Sequence, residues 1–153
     1  RHEVSDKITV TQGTFDGVQR DQLTHTVHVP PNASMAVLRW DAGQLDRGPD
    51  RYLSVHAAND LFPPNRHFFA AIKDLVREPQ PLVVEMTQVD TQTLDVTLRA
   101  DAAYAYFVHL IVPHEATRFS DNYFDLIPGE ERSIRVSNAE VELKPDMVTV
   151  KAR

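Results

Sequence analysis

Cysteine is absent from this chain of 153 residues, which excludes disulfides, thiolate metal sites and a cysteine nucleophile. A chain without disulfides suits the cytosol or a bacterial periplasm and argues against a heavily cross-linked extracellular domain. No apolar run approaches the ~20 residues of a membrane-spanning helix. Basic runs are missing too, and 16 Lys and Arg against 22 Asp and Glu give a formal charge of −6. Such a surface repels polyanions, so neither nucleic acid nor an anionic membrane is an expected partner. Arg1-His2-Glu3 is neither a signal peptide nor a natural start, and the chain reads as a piece of a longer polypeptide.

With 42% hydrophobic and 25% charged residues, the chain can bury a core and is globular. Its length admits one ordinary domain or two small ones of about 75 residues each. Hydrophobic alternation with a period of two predicts strands over Lys7–Thr11, Leu23–Val29, Met35–Trp40 and Arg51–Ala57. Phe15-Asp16-Gly17 marks a turn between the first two, and 41–50 is a Gly-, Asp- and Pro-rich loop. Residues His67–Ile72 read as a further strand. A helix over 66–76 is the rival, since Phe69, Ile72, Lys73 and Val76 have helical spacing.

Arg77-Glu78-Pro79-Gln80-Pro81 has two prolines and no apolar side chain, as a linker does. It divides the chain into 1–76 and 82–153. Beyond it come Leu82–Met86, then Leu94, Val96 and Leu98 on one face of a strand. Ala103–Val112, apolar on both faces, is predicted to be central in a sheet.

The most strongly patterned stretch is Phe119-Ser120-Asp121-Asn122-Tyr123-Phe124-Asp125-Leu126-Ile127-Pro128-Gly129-Glu130. Ser120, Asp121 and Asn122 form a polar corner whose short side chains bond nearby backbone. Tyr123–Ile127 is then a strand with Phe124 and Leu126 on one face, and Pro128-Gly129 suits the centre of a type II turn. The chain returns through Ser133–Val136 as a hairpin partner, and a closing strand follows over Met147–Val150 after a turn at Lys144-Pro145-Asp146. About seven short strands over 80–153 is the count of an immunoglobulin-like sandwich. A weaker internal echo, Val29-Pro30-Pro31 before Met35–Leu38, repeats the plan of strand, Pro-led turn and strand. The fold class is therefore all-β, with immunoglobulin-like β-sandwich architecture.

The stretch from Ser120 to Glu130 resembles the terminal domain of the β-mannosidase branch of glycoside hydrolase family 2. Asn65-Arg66-His67-Phe68-Phe69 through Lys73-Asp74-Leu75 is similar to the exit from that family's penultimate sandwich, and 80–137 to its final one. The resemblance implies two consecutive sandwiches, a partial penultimate one over 1–76, truncated at its start, and a final one over 82–153, with 77–81 between them. It implies a catalytic barrel elsewhere in the same parent chain as partner. There, two glutamates roughly 5–5.5 Å apart would cleave terminal β-mannose with retention. Their motifs do not occur in this sequence, so no catalytic residue, metal ligand or cofactor site carries over. A truncated first sandwich leaves a sheet edge open to dimerisation.

Several constellations invite chemistry and have plainer readings. Asp121, Asp125 and Glu130 lack calcium-loop spacing and read as turn and strand-edge carboxylates. His25 and His28, three apart on a strand, face opposite sides, while His109 and His114 flank Pro113 without a paired ligand motif. Ser120 lacks the glycine-flanked elbow of a nucleophile. Trp40, Tyr52, Tyr104, Tyr106 and Tyr123 are the available sugar platforms, with Trp40 and Tyr123 the foremost candidates for oligosaccharide contact and core packing the plainer reading, for Trp40 at a strand end above all. Asn32-Ala33-Ser34 fits a glycosylation acceptor on a turn. Two functions follow: a non-catalytic sandwich region supporting a β-mannosidase-like hydrolase, or an independent carbohydrate-binding or adhesive module. Glucosaminidase is a sister activity for such a parent.

Overall fold

The computed structural model describes residues 2–18, 20–36, 38–59 and 61–153. It divides into two compact units, 1–77 and 78–153. Among the described residues every regular element is a β-strand or a single 3-10 turn.

In the first unit, β1 (Val4–Thr14), β2 (Arg20–Val29), β3 (Arg51–Ala57) and β4 (Asn65–Phe68) form one antiparallel sheet in the order β2-β1-β3-β4. The turn from β1 to β2 closes where Gly17, at φ 77°, donates its N–H to the Thr14 carbonyl at 3.0 Å. Glycine takes that left-handed conformation without a Cβ clash. Asp16 secures the turn by accepting from Thr14 Oγ1 at 2.5 Å and from the Val18 N–H at 3.0 Å. These two donors hold its carboxyl below the ordinary carboxylate range. Asp6, buried, accepts from the Asn59 backbone and side chain at 3.2 and 2.8 Å, tying β1 to the loop after β3.

Gly13 sits opposite Tyr52 in the β1–β3 register. The fully buried Tyr52 ring occupies the space where a Cβ on Gly13 would lie, its oxygen 2.8 Å and its Cζ 2.9 Å from that position. Phe15 packs 5.7 Å from Tyr52 and 5.6 Å from Phe68, centroid to centroid.

Two sequence expectations fail here. Val37 lies outside the described residues, but the described part of Met35–Trp40 is not a strand. Alternation alone does not make a strand, which also needs a hydrogen-bonded neighbour, and the sheet β2-β1-β3-β4 includes no pairing with this stretch. The strand expected over 67–72 lies at 65–68, because the β3 edge pairs Val55 through Tyr52 with Asn65 through Phe68. Ile72–Asp74 is a 3-10 turn, so the helix over 66–76 does not form either.

The second unit is a sandwich. One sheet has the order β5 (Val83–Asp90), β6 (Thr93–Arg99), β10 (Glu131–Asn138), β8 (Thr117–Phe119). The other has β11 (Thr149–Lys151), β7 (Ala105–Ile111), β9 (Phe124–Leu126). Between them lie Leu94, Val96 and Leu98 of β6, Val108 and Leu110 of β7, Phe124 and Leu126 of β9, and Ile134 and Val136 of β10. The expected single face of β6 and the pairing of Phe124 with Leu126 are thus observed.

The proline-led return is not a hairpin. β9 pairs with β7, whereas β10 pairs with β6 and β8, so Pro128-Gly129 carries the chain from one sheet to the other. The turn itself is of the expected kind, with Gly129 at φ 84° and the Glu130 N–H donating to the Ile127 carbonyl at 2.9 Å. Gly129 and Glu130 are bonded to Ala100 rather than to a neighbouring strand of their own: Gly129 N–H donates to the Ala100 carbonyl at 2.6 Å, and Ala100 N–H to the Glu130 carbonyl at 3.1 Å. The echo upstream is a turn of the same plan. Pro31 precedes Asn32 at φ 56°, and Ala33 N–H donates to the Pro30 carbonyl at 3.2 Å.

Candidate functional site

Most side chains in Ser120–Glu130 are committed to holding that corner. Ser120 Oγ accepts from the Arg135 N–H at 2.9 Å, while Asp121 receives Arg132 at 2.8 Å. Asn122 acts as a surrogate strand residue, its Oδ1 accepting from the Leu110 N–H at 2.9 Å and its Nδ2 donating to the Leu110 carbonyl at 3.0 Å. Phe124 and Leu126 enter the core, and the Arg132 guanidinium lies 4.6 Å from the Phe124 ring centre. Glu130 Oε2 accepts from the Ile127 N–H at 3.0 Å.

Asp125 holds a bulge. Between the pairs Ala105–Leu126 and Val108–Phe124, β7 has two residues where β9 has one. Phe107, in the left-handed region at φ 50°, donates its N–H to Asp125 Oδ1 at 2.8 Å. Tyr104 donates its hydroxyl to Asp125 Oδ2 at 2.6 Å. The carboxylate thus supplies the acceptor that a regular ladder would have supplied.

Asp121, Asp125 and Glu130 therefore face three different partners and do not converge. No group of three or more His, Asp and Glu positioned for a metal ion occurs among the described residues.

Tyr123 differs from its neighbours. It is 60% exposed, with φ 67°, a conformation that costs a bulky residue on the order of 1–3 kcal/mol. Its ring stacks on His109 at 5.6 Å with 12° between planes, and meets Phe107 at 5.4 Å. Phe107 in turn lies 5.8 Å from His109 and 5.2 Å from the Arg153 guanidinium. Three rings and a cation thus share one side of the β11-β7-β9 sheet. The expectation that β7 is central holds, but its second apolar face is this open one, with Ile111 40% exposed.

The other aromatic candidates have packing environments. Tyr52, Tyr104 and Tyr106 are buried. Trp40 is half-buried and lines a cavity of about 190 Å³ with Val10, Gln12, Leu23 and Leu45. Sequence reasoning found Tyr123 but not Phe107 or Arg153. A bulge leaves little trace in alternation, and Arg153 reaches Phe107 only because β11 pairs with β7.

Residues 77–151 match the family model Ig_mannosidase, an Ig-fold domain. No curated protein sequence matches the chain. Among solved structures it is similar to the β-D-mannosidase of Dictyoglomus thermophilum, with a TM-score of 0.73 and 20% identity over 99% of this chain and 19% of that one. It is also similar to the exo-chitosanase CsxA of Amycolatopsis orientalis, with a TM-score of 0.53 and 14% identity over 99% of this chain and 23% of that one. A further similar structure is of the exo-β-D-glucosaminidase CsxA, with a TM-score of 0.56, 13% identity, and 99% and 23% of the two chains covered. These likenesses establish the fold, and this chain spans about a fifth of the length of each of those proteins. Residues 77–151 are thus an Ig-fold domain similar to those described by the Ig_mannosidase model.

Proposed function

We propose that this chain is the non-catalytic C-terminal β-sandwich region of a β-mannosidase-like glycoside hydrolase, which packs against and supports the catalytic barrel of the same polypeptide. The observation that carries the reading is the family match over 77–151, within which Asp121, Asp125 and Glu130 are all engaged in holding the corner. In this reading 1–76 is a partial penultimate sandwich, 77–81 a linker and 82–153 the final sandwich. The single sheet found among the first unit's described residues supports that assignment, since one layer is half a sandwich. The parent's substrate is terminal β-D-mannose, with β-D-glucosaminide the sister specificity.

The test uses the chain alone and the full-length polypeptide. The chain alone releases no p-nitrophenol from the β-D-mannoside or the β-D-glucosaminide, whereas removing it from the full-length hydrolase lowers that enzyme's melting temperature. Turnover by the chain alone, or a hydrolase indifferent to its removal, would sink the reading. A second reading, an independent carbohydrate-binding module, is favoured by the exposure of Tyr123.

A further inference from the structure

The geometry points to a sugar-binding platform on the open face of the β11-β7-β9 sheet, centred on Tyr123 and His109, that takes neutral β-linked pyranosides. Three non-glycine residues have positive φ among those described, namely Asn32, Phe107 and Tyr123. Asparagine is common there, but bulky aromatics are outliers that surrounding structure must hold in place. Both outliers are in ring contact with each other at 5.4 Å. The hydrogen bonds of Asn122 and Asp125 hold the two backbone segments. Two strained segments meeting at one exposed ring is the pattern of a positioned surface rather than of a packed core.

The platform is prepared for a flat, amphipathic ligand. His109, nearly parallel to Tyr123, fixes the tyrosine ring plane, while the ring stays 60% exposed. Little rotamer freedom is then left to lose on binding. A β-D-pyranoside with axial hydrogens at C1, C3 and C5 presents a C–H face that stacks on such a ring and turns its hydroxyls outward. Beside the rings are two exposed cations. Arg153 is seated at Phe107, and Lys151 stands opposite His109 in the β7–β11 register. They can donate to hydroxyl oxygens but repel a protonated amine. β-D-mannosides and β-D-glucosaminides share the C–H face, so the cations select the neutral sugar.

The choice of mannoside rests on the accessory-region reading, while the platform and its charge preference do not. The experiment follows amide shifts of the isotopically labelled chain during titration with β-1,4-mannotriose, cellotriose and the trimer of β-1,4-glucosamine at neutral pH. Saturable shifts with mannotriose are expected at 107–111, 121–125 and 149–153, with the glucosamine trimer at least about tenfold weaker. Tyr123→Ala should weaken mannotriose at least about tenfold while leaving the spectrum elsewhere unchanged. Spectra flat with all three sugars, or shifts that survive Tyr123→Ala, overturn the platform. Equal binding of the glucosamine trimer overturns the charge selection. Cellotriose binding without mannotriose overturns the mannoside assignment. Mannotriose binding by a chain whose removal leaves the hydrolase indifferent upholds the platform and defeats the accessory role, so the two failures are separable.

Discussion

At the residue scale, two glycines and two tyrosines separate steric from conformational causes. A methyl on Gly13 would meet the Tyr52 ring at 2.8–2.9 Å, and that ring is fully buried. Gly13→Ala is therefore expected to cost about 1–3 kcal/mol by overpacking, as read from urea unfolding. Gly129 has open space around its would-be Cβ and φ 84°, so Gly129→Ala should cost only the left-handed penalty, about 1–2 kcal/mol. Tyr52 adds a pH signature. Burial pushes its hydroxyl up to about 12 from 10.0, so the folded state keeps a proton that the unfolded state has lost. The contribution is whole below pH 10 and is lost as pH rises through about 12, some 2–3 kcal/mol in all. Comparing unfolding of the native chain and Tyr52→Phe across pH 8–12 isolates it: the alkaline decline should be shallower in the variant. Tyr123→Asn should shift stability by less than about 1 kcal/mol, since relief of left-handed strain and loss of ring stacking are of similar size.

At the element scale, the second unit is assembled by side chains that stand in for missing strand. Asn122 pairs with both backbone groups of Leu110, and Asp125 takes the Phe107 N–H that the bulge removes from the ladder. Asn122→Ala leaves the Leu110 N–H and carbonyl without these partners and should cost about 1–3 kcal/mol. Amide exchange at Leu110 should accelerate while that at Val96, on the other sheet, changes little. The motif around these residues was visible in the sequence because turn-forming side chains and a Pro-Gly pair act locally. Its role as a crossing between sheets was not visible, because a type II turn fits a hairpin and a sheet-crossing corner equally well.

At the scale of the whole molecule, the two units have unequal means of standing alone. The second has a two-layer core with Leu94, Val96, Leu98, Val108, Leu126 and Val136 all at zero exposure. Residues 78–153 expressed alone should keep a β-type circular dichroism spectrum and unfold cooperatively. Loss of that cooperativity would show that its core is insufficient. Among its described residues the first unit has one sheet, ending in β2 on one side and β4 on the other. Unpaired edges invite pairing with another copy, so small-angle scattering is expected to report dimers as concentration rises.

Local rules in the sequence determined that the chain is all-β, that Leu94, Val96 and Leu98 share a buried face, and that Pro128-Gly129 turns with a positive φ. Period-two alternation and backbone preference act over a few residues, so a linear reading captures them. Tertiary structure alone decided the rest. Met35–Trp40 alternates like a strand yet its described residues join no sheet, β9 and β10 part into opposite sheets, and a bulge at Phe107 meets Tyr123 from a strand apart. Each of these depends on partners distant in the chain, and strand pairing and ring contact are properties of pairs that no single segment specifies.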